Sequence, residues 1–220
     1  MSPRKTLPEA RRRQILEAAA QVIGERGLCD TRIVDVAKRA GASPGLVIYY
    51  FGSKDRVLAE ALAYADETFF ADAANKLSTL PSARDQLVEL VASSCPLGSA
   101  PGAVDSWVLW LELWARARRD AEVGEHRARL DQQWRRMLAD TVRAGQKAGE
   151  FGRLDPDGFA IRLAALIDGL AIVVVLGDPE VDAERMFDLC METCAGELGF
   201  PWTAEERDHL VRPPTRAASG

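Results

Sequence analysis

Three groups of residues in this 220-residue chain have the types and spacings that chemistry uses. Gly41-Ala42-Ser43-Pro44-Gly45 satisfies G-x-S-x-G, the elbow that presents a nucleophilic serine in hydrolases. That elbow follows a strand and holds an oxyanion with the backbone N–H after the serine. Pro44 has no such N–H, helical periodicity precedes the motif, and His126 and His209 are both distant in sequence. No catalytic residue is therefore assigned. Cys190 and Cys194 stand one helical turn apart, a spacing that suits a metal or a redox pair, but no third ligand lies nearby and no C-x-x-C occurs. Together with Cys29 and Cys95 they are expected to be reduced, buried thiols, with neither metal nor cofactor. Trp107, Trp110 and Trp114 fall at i, i+3 and i+7, within a stripe about 60° wide on one helix face. Such a stripe is either packed core or the wall of a ligand pocket.

The elements that carry these groups read as helices from end to end. Pro8 and Glu9 open a helix with Ile15, Ala19, Val22 and Ile23 on one face, and Gly27 is expected to close it. A short helix follows around Ile33 to Ala40. Ser43 as cap and Pro44 at the first position start another, which runs to Phe51. Further helices are predicted over about 54–77, from Pro81-Ser82 to Cys95-Pro96, and over 103–119, 121–148, 156–177 and 180–198. Residues 200–220 read as a peripheral tail with one helical turn around Ala204 to Leu210. The expected fold is all-α, about nine helices, with residues 1–52 and 53–199 as its two domains.

Charge divides along the same line. The first 56 residues hold eleven bases against six acids, a surplus of +5, so in a chain of net charge −5 the remainder carries −10. A basic head on an acidic body fits a protein whose head alone meets a polyanion. The longest purely apolar run, Leu170 to Leu176, is shorter than the roughly 20 residues of a membrane span, and the start lacks a secretory h-region. A cytoplasmic location without a membrane partner is expected.

Two short helices joined by Ala40-Gly41-Ala42 meet the requirement of a helix-turn-helix, whose tight turn needs a residue able to take positive φ. The second helix would enter the major groove of double-stranded DNA by its N-terminal end, with Ser43, Pro44, Gly45 and Leu46 offering little bulk. Tyr49 and Tyr50 can reach a thymine methyl, a base edge or a phosphate. Lys54, at the start of the next helix with the N–H groups of Ser53 and Lys54, suits a phosphate. Arg4 and Lys5 form an arm for an adjacent groove, and Arg11 to Arg13 are either phosphate contacts or a solvated face.

Thr31 to Leu58, TRIVDVAKRAGASPGLVIYYFGSKDRVL, resembles the DNA-binding signature of TetR-family transcriptional regulators, with Ala37, Gly41, Ser43, Gly45, Phe51, Lys54 and Leu58 at matching positions. Many members carry Tyr where this chain has Ile48, and a capping Ser or Thr where it has Arg32. The tyrosine's phosphate role is then expected to pass to Tyr49. Arg32 is expected to touch DNA itself, with Thr31 or Asp30 as the cap.

In the body, the candidate pocket wall combines Trp107, Trp110 and Trp114 with Trp134, Tyr64 and Phe69 or Phe70; aromatic faces beside a carboxylate attract organic cations. Asp168, in an otherwise apolar helix, is that carboxylate or a buried hydrogen-bonding anchor. Glu112 points away from the stripe. Leu163, Leu166, Leu170 and Val174, with Met186, Leu189, Cys190 and Thr193, exceed what one apolar face needs and suggest a two-fold, four-helix dimer seam. WVLWLELWARARRD, QQWRRML and IDGL resemble the C-terminal domain of the BetI-like subgroup. The resemblance implies a homodimeric regulator freed from its operator by a small-molecule effector; entry of that effector between the middle helices is expected to tilt the fourth. The alternative is a constitutive or activating regulator with a closed, Trp-filled core.

Overall fold

The computed structural model describes residues 6–97 and 106–203, with the side chains of Thr6, Leu7, Ser106 and Glu122 left aside. Among the described residues there are nine helices and no strand. They are α1 (Thr6–Asp30), α2 (Ile33–Arg39), α3 (Pro44–Phe51), α4 (Lys54–Thr79), α5 (Ala83–Ser94), α6 (Ser106–Ala117), α7 (Ala121–Ala148), α8 (Pro156–Val175) and α9 (Ala183–Leu198). The tail turn expected near 204–210 and the arm residues Arg4 and Lys5 lie outside the described residues.

The chain forms two compact units, one of residues 1–74 and 99–130 and the other of 75–98 and 131–220. In the first, Ile15, Ala19, Val22 and Ile23 of α1 are buried with Val36, Ala37, Val47, Phe51, Val57 and Leu58, a core assembled by the spacing of three and four on each helix. Gly27 closes the first helical run, as expected. With Gly27 at φ 77° and ψ 163°, a second short run continues across a kink to Asp30 under the same label α1.

In the second unit α8 packs on α9, and α9 also meets α5. Asp155 caps α8 by accepting from the N–H groups of Asp157 and Gly158, with Pro156 at the first helical position. Asp182 and Ser82 cap α9 and α5 in the same way. By length and composition α8 could cross a membrane, a profile shared by core helices of soluble proteins, and Phe159, Leu163 and Ile167 on one side of it are fully buried in the fold. Of the expected seam residues, Leu163, Met186 and Cys190 are buried within their own chain and belong to its core. Leu166, Leu170, Val174, Leu189 and Thr193 keep part of their surface outside. Because α8 is apolar around most of its circumference, periodicity could not say which side meets α9.

Cys95, Cys190 and Cys194 are buried, whereas Cys29, expected to be buried, is exposed at the end of α1. Burial pushes the Cys190 thiol up to about 12 and raises Cys95 and Cys194 as well, so none of the three is a thiolate near neutrality.

Candidate nucleic-acid interface and effector region

The reading head is built around one turn. Ala40 is buried, Gly41 adopts φ 58°, and the Ala42 N–H returns to the Ala37 carbonyl at 2.8 Å. A residue with a Cβ is strained at that φ, so the turn selects glycine. Arg11 donates to the Gly41 carbonyl at 2.5 Å, fixing the turn to α1. Ser43 caps α3, its Oγ accepting from the Leu46 N–H at 3.1 Å. The serine of the hydrolase-like motif is thereby a helix cap, with a helix on either side of it.

Val47 and Phe51 point into the core, and the opposite face of α3 is turned outward. Ser43, Pro44 and Gly45 are exposed, Leu46 and Tyr50 are half-buried, and Tyr49 is 82% exposed with its ring set edge-on to Tyr50 at 5.7 Å. Apart from that ring contact Tyr49 stands out into solvent, open to whatever α3 meets. Arg32 is also exposed. It occupies the N-cap of α2 in extended conformation, and its side chain makes no capping bond. Thr31 does not cap as expected: it is buried, and its hydroxyl donates to the Gly27 carbonyl at 2.7 Å.

The basic residues divide into staples and free charges. Arg12 pairs with Glu60 of α4 and lies 5.1 Å over the Phe51 ring, so Arg11 and Arg12 are structural, whereas Arg13 is exposed. Arg39 pairs with Glu25 at 2.7 Å. Ser53 Oγ caps α4 through the Arg56 N–H, and Lys54 Nζ lies 3.5 Å from the Cys29 carbonyl, between the end of α1 and the start of α4. A phosphate there would meet an ammonium already directed at that place.

The effector region of the same unit lies on α4, α6 and α7. The Trp107 and Trp110 rings each stand 6.4 Å from Trp114, all three are half-buried, and the Arg127 guanidinium lies 5.8 Å over Trp114. Trp114 Nε1 is buried without a hydrogen-bond partner. Tyr64 donates to Glu17 at 2.8 Å, and Phe69 stacks edge-on with Phe70 at 5.4 Å. Trp134 and Asp168, both half-buried, belong to the other unit. Glu112 faces α1, accepting from the Leu28 N–H at 3.0 Å just beyond the Gly27 kink.

Sequence reasoning missed one pair. Asp66 of α4 is 8% exposed, and its Oδ2 lies 3.3 Å from His126 Nε2 of α7. Burial, with Glu67 beside it, raises Asp66 to about 7, and burial with Arg129 lowers His126. The signal was an aspartate in register with Leu62, Phe70 and Ala73 on the buried face of α4. A cleft of about 660 Å³ adjoins the pair, lined by Leu62 and Ala63 of α4, Leu113 of α6, and Val123 and His126 of α7.

Comparison with known proteins agrees with this geometry. Residues 15–61 match the tetR family of bacterial regulatory proteins, and residues 83–199 match the C-terminal region of BetI-type transcriptional repressors. The HTH-type transcriptional regulator BetI of Stenotrophomonas maltophilia is 31% identical over 83% of this chain and 90% of its own length. The Escherichia coli K12 regulator of that name is 29% identical over 83% and 91%. A Saccharomonospora viridis transcriptional regulator solved in complex with choline superimposes with a TM-score of 0.77 at 35% identity, over 86% of this chain and 97% of that one. A TetR-family regulator from Rhodococcus sp. gives 0.70 at 30% identity, over 86% and 98%.

Proposed function

Given that the chain belongs to the TetR family of transcriptional regulators, with a BetI-type C-terminal region, and is not an enzyme, we propose that it is a cytoplasmic, homodimeric repressor. It leaves a pseudo-palindromic operator when a small hydrophobic or organic-cation effector binds. Residues 1–52 read DNA, with Arg32, Ser43 and Tyr49 at the duplex and Lys54, just beyond them, on a phosphate; residues 53–199 hold the effector and the dimer seam, while Phe200, expected in a peripheral tail, is buried against Phe151. The half-exposed side of α8, with Leu166, Leu170 and Val174, joins Leu189 and Thr193 of α9 in that seam. Two-fold symmetry then sets the recognition helices about 34–36 Å apart, or a multiple of that, on successive major grooves. Effector entry tilts α4, which begins at Lys54 directly beyond the recognition helix, and moves the heads off that spacing.

The observation that carries the effector class is the choline complex of a relative aligned over nearly its whole length. The tryptophan cluster of α6 supports it, since organic cations gain about 0.5–2 kcal/mol per aromatic face. The test is fluorescence anisotropy of a labelled duplex from the gene's own upstream region, titrated with the protein and then with choline. Salt-dependent binding reversed by choline is expected; absence of duplex binding would overturn the repressor reading. The close mutual packing of the three indole rings favours a second reading, a constitutive or activating regulator with a Trp-filled core. That reading requires duplex binding indifferent to choline and to other small ligands.

A further inference from the structure

We propose that Asp66 is the counter-charge for the headgroup of a cationic effector, and that His126 occupies the place of that headgroup until the effector arrives. The inference rests on the effector reading above and adds to it the residue that would select charge. Asp66 is the one buried carboxylate among the described residues. A carboxylate withdrawn from water requires a cation or a proton. Of the acids that line the cleft, Glu60 takes Arg12 and Arg56, Asp120 takes Arg116, and Asp55 is exposed to water. Asp66 has only the His126 imidazole, which is mostly neutral near pH 7. His126 also lines the cleft, with its Nε2 3.3 Å from the buried carboxylate.

The cleft suits an amphiphile of modest size. Leu62, Ala63, Leu113 and Val123 supply apolar lining, and a volume of about 660 Å³ lies within the range of small-molecule sites. The tryptophan cluster is on the α6 wall, where Leu113 stands between Trp110 and Trp114, and Arg127 of α7, which follows His126, lies over Trp114. The charged groups facing the cleft are Asp55, Arg56 and Glu60 of α4, Arg116 at the end of α6, Asp120 and Arg129, with Glu67 beside Asp66 on α4. Capture of a cation ionises Asp66 and releases its proton. Below neutrality the proton on Asp66, and then one on His126, both compete with the ligand, so the two titrations act with the same sign.

The test is calorimetric titration of the full chain with choline, with 3,3-dimethyl-1-butanol as the uncharged carbon analogue, and with 3,3-dimethylbutyrate as the anion. Wild type is expected to prefer choline to the alcohol at least tenfold, and to bind choline about tenfold more tightly at pH 8 than at pH 6, because Asp66 titrates at about 7. The alcohol should show no such dependence. In Asp66→Asn the preference for charge should vanish while the alcohol binds as before, and His126→Ala should bind choline at least as well as wild type. Asp66→Asn keeps the shape and a hydrogen bond to His126, and it should melt higher than wild type at pH 8. A carboxylate whose titration is raised by folding costs stability as pH climbs through that range, and asparagine removes the cost. Should it fail to fold, Asp66→Glu keeps the charge and should retain a reduced preference for choline. If wild type binds choline and Asp66→Asn binds it equally, the counter-charge assignment is wrong and the effector reading stands. If wild type binds no organic cation, or prefers the anion, the counter-charge assignment falls together with the organic-cation half of the effector reading, and only a hydrophobic effector is left.

Discussion

The Gly27 kink and the Glu112 carboxylate that closes it should be energetically coupled, and a double-mutant cycle can measure the coupling. Gly27 sits at φ 77° and ψ 163°, a conformation only glycine adopts freely, so an alanine there costs about 1–3 kcal/mol in backbone strain. A Cβ at that position would also stand 2.9 Å from Glu112 Oε1. The carboxylate would have to move and give up its 3.0 Å bond to the Leu28 N–H. That bond is charge-assisted but half-buried, and about 1.5–2 kcal/mol is a reasonable value for it. Gly27→Ala should therefore destabilise by about 2.5–5 kcal/mol through strain and lost bond together, and Glu112→Ala by about 1.5–2 kcal/mol through the bond alone. In the double variant the bond is lost once, so the single effects should sum to about 1.5–2 kcal/mol more than the double effect. Urea unfolding at one fixed protein concentration, followed by circular dichroism, gives all four free energies. Additivity within about 0.5 kcal/mol would show that Glu112 and Gly27 are independent and would refute the account of the kink.

Three further outcomes are expected. Lys54→Ala should lower the slope of log affinity against log salt for the duplex by about 0.9, as one phosphate contact requires, whereas Arg12→Ala, which breaks the pair with Glu60, should act on stability and leave that slope unchanged. A colorimetric thiol reagent should label Cys29 alone in the native protein and all four cysteines in denaturant; rapid native labelling of Cys190 would contradict its burial. Gly145→Ala on α7 would drive a Cβ to 2.2 Å from the buried Phe151 ring, and the resulting overpacking should lower stability by about 1–3 kcal/mol in denaturant titration.

The head was the most legible part because its local signals agree with one another. Ser43, Pro44 and the small residues around Gly41 each specify the same turn and cap, and the burial of Val47 and Phe51 follows from their spacing of four. Its arginines were less legible. A cation in the first turn of a helix can equally face a phosphate or a neighbouring carbonyl, and the partners of Arg11 and Arg12, Gly41 and Glu60, lie 30 and 48 residues away. The tryptophan stripe was visible as a stripe, but which rings share a unit depends on where α7 passes from one unit to the other, at residue 130. Asp66 was hidden because nothing in one sequence separates an aspartate on a helix's wet side from one a quarter-turn round. Its partner, His126, is 60 residues distant.

The apolar circumference of α8 has a bearing on abundance. Only about a third of its most apolar stretch is enclosed by its own chain, and Leu176 just beyond it is 76% exposed. If that wet side is the seam proposed above, the free energy of folding contains a mass-action component, and a scarce chain is both less stable and less often paired. Copy number then becomes an input alongside the effector. Cells holding few molecules would have little operator-competent protein, and occupancy would rise more steeply than in proportion as the chain accumulates.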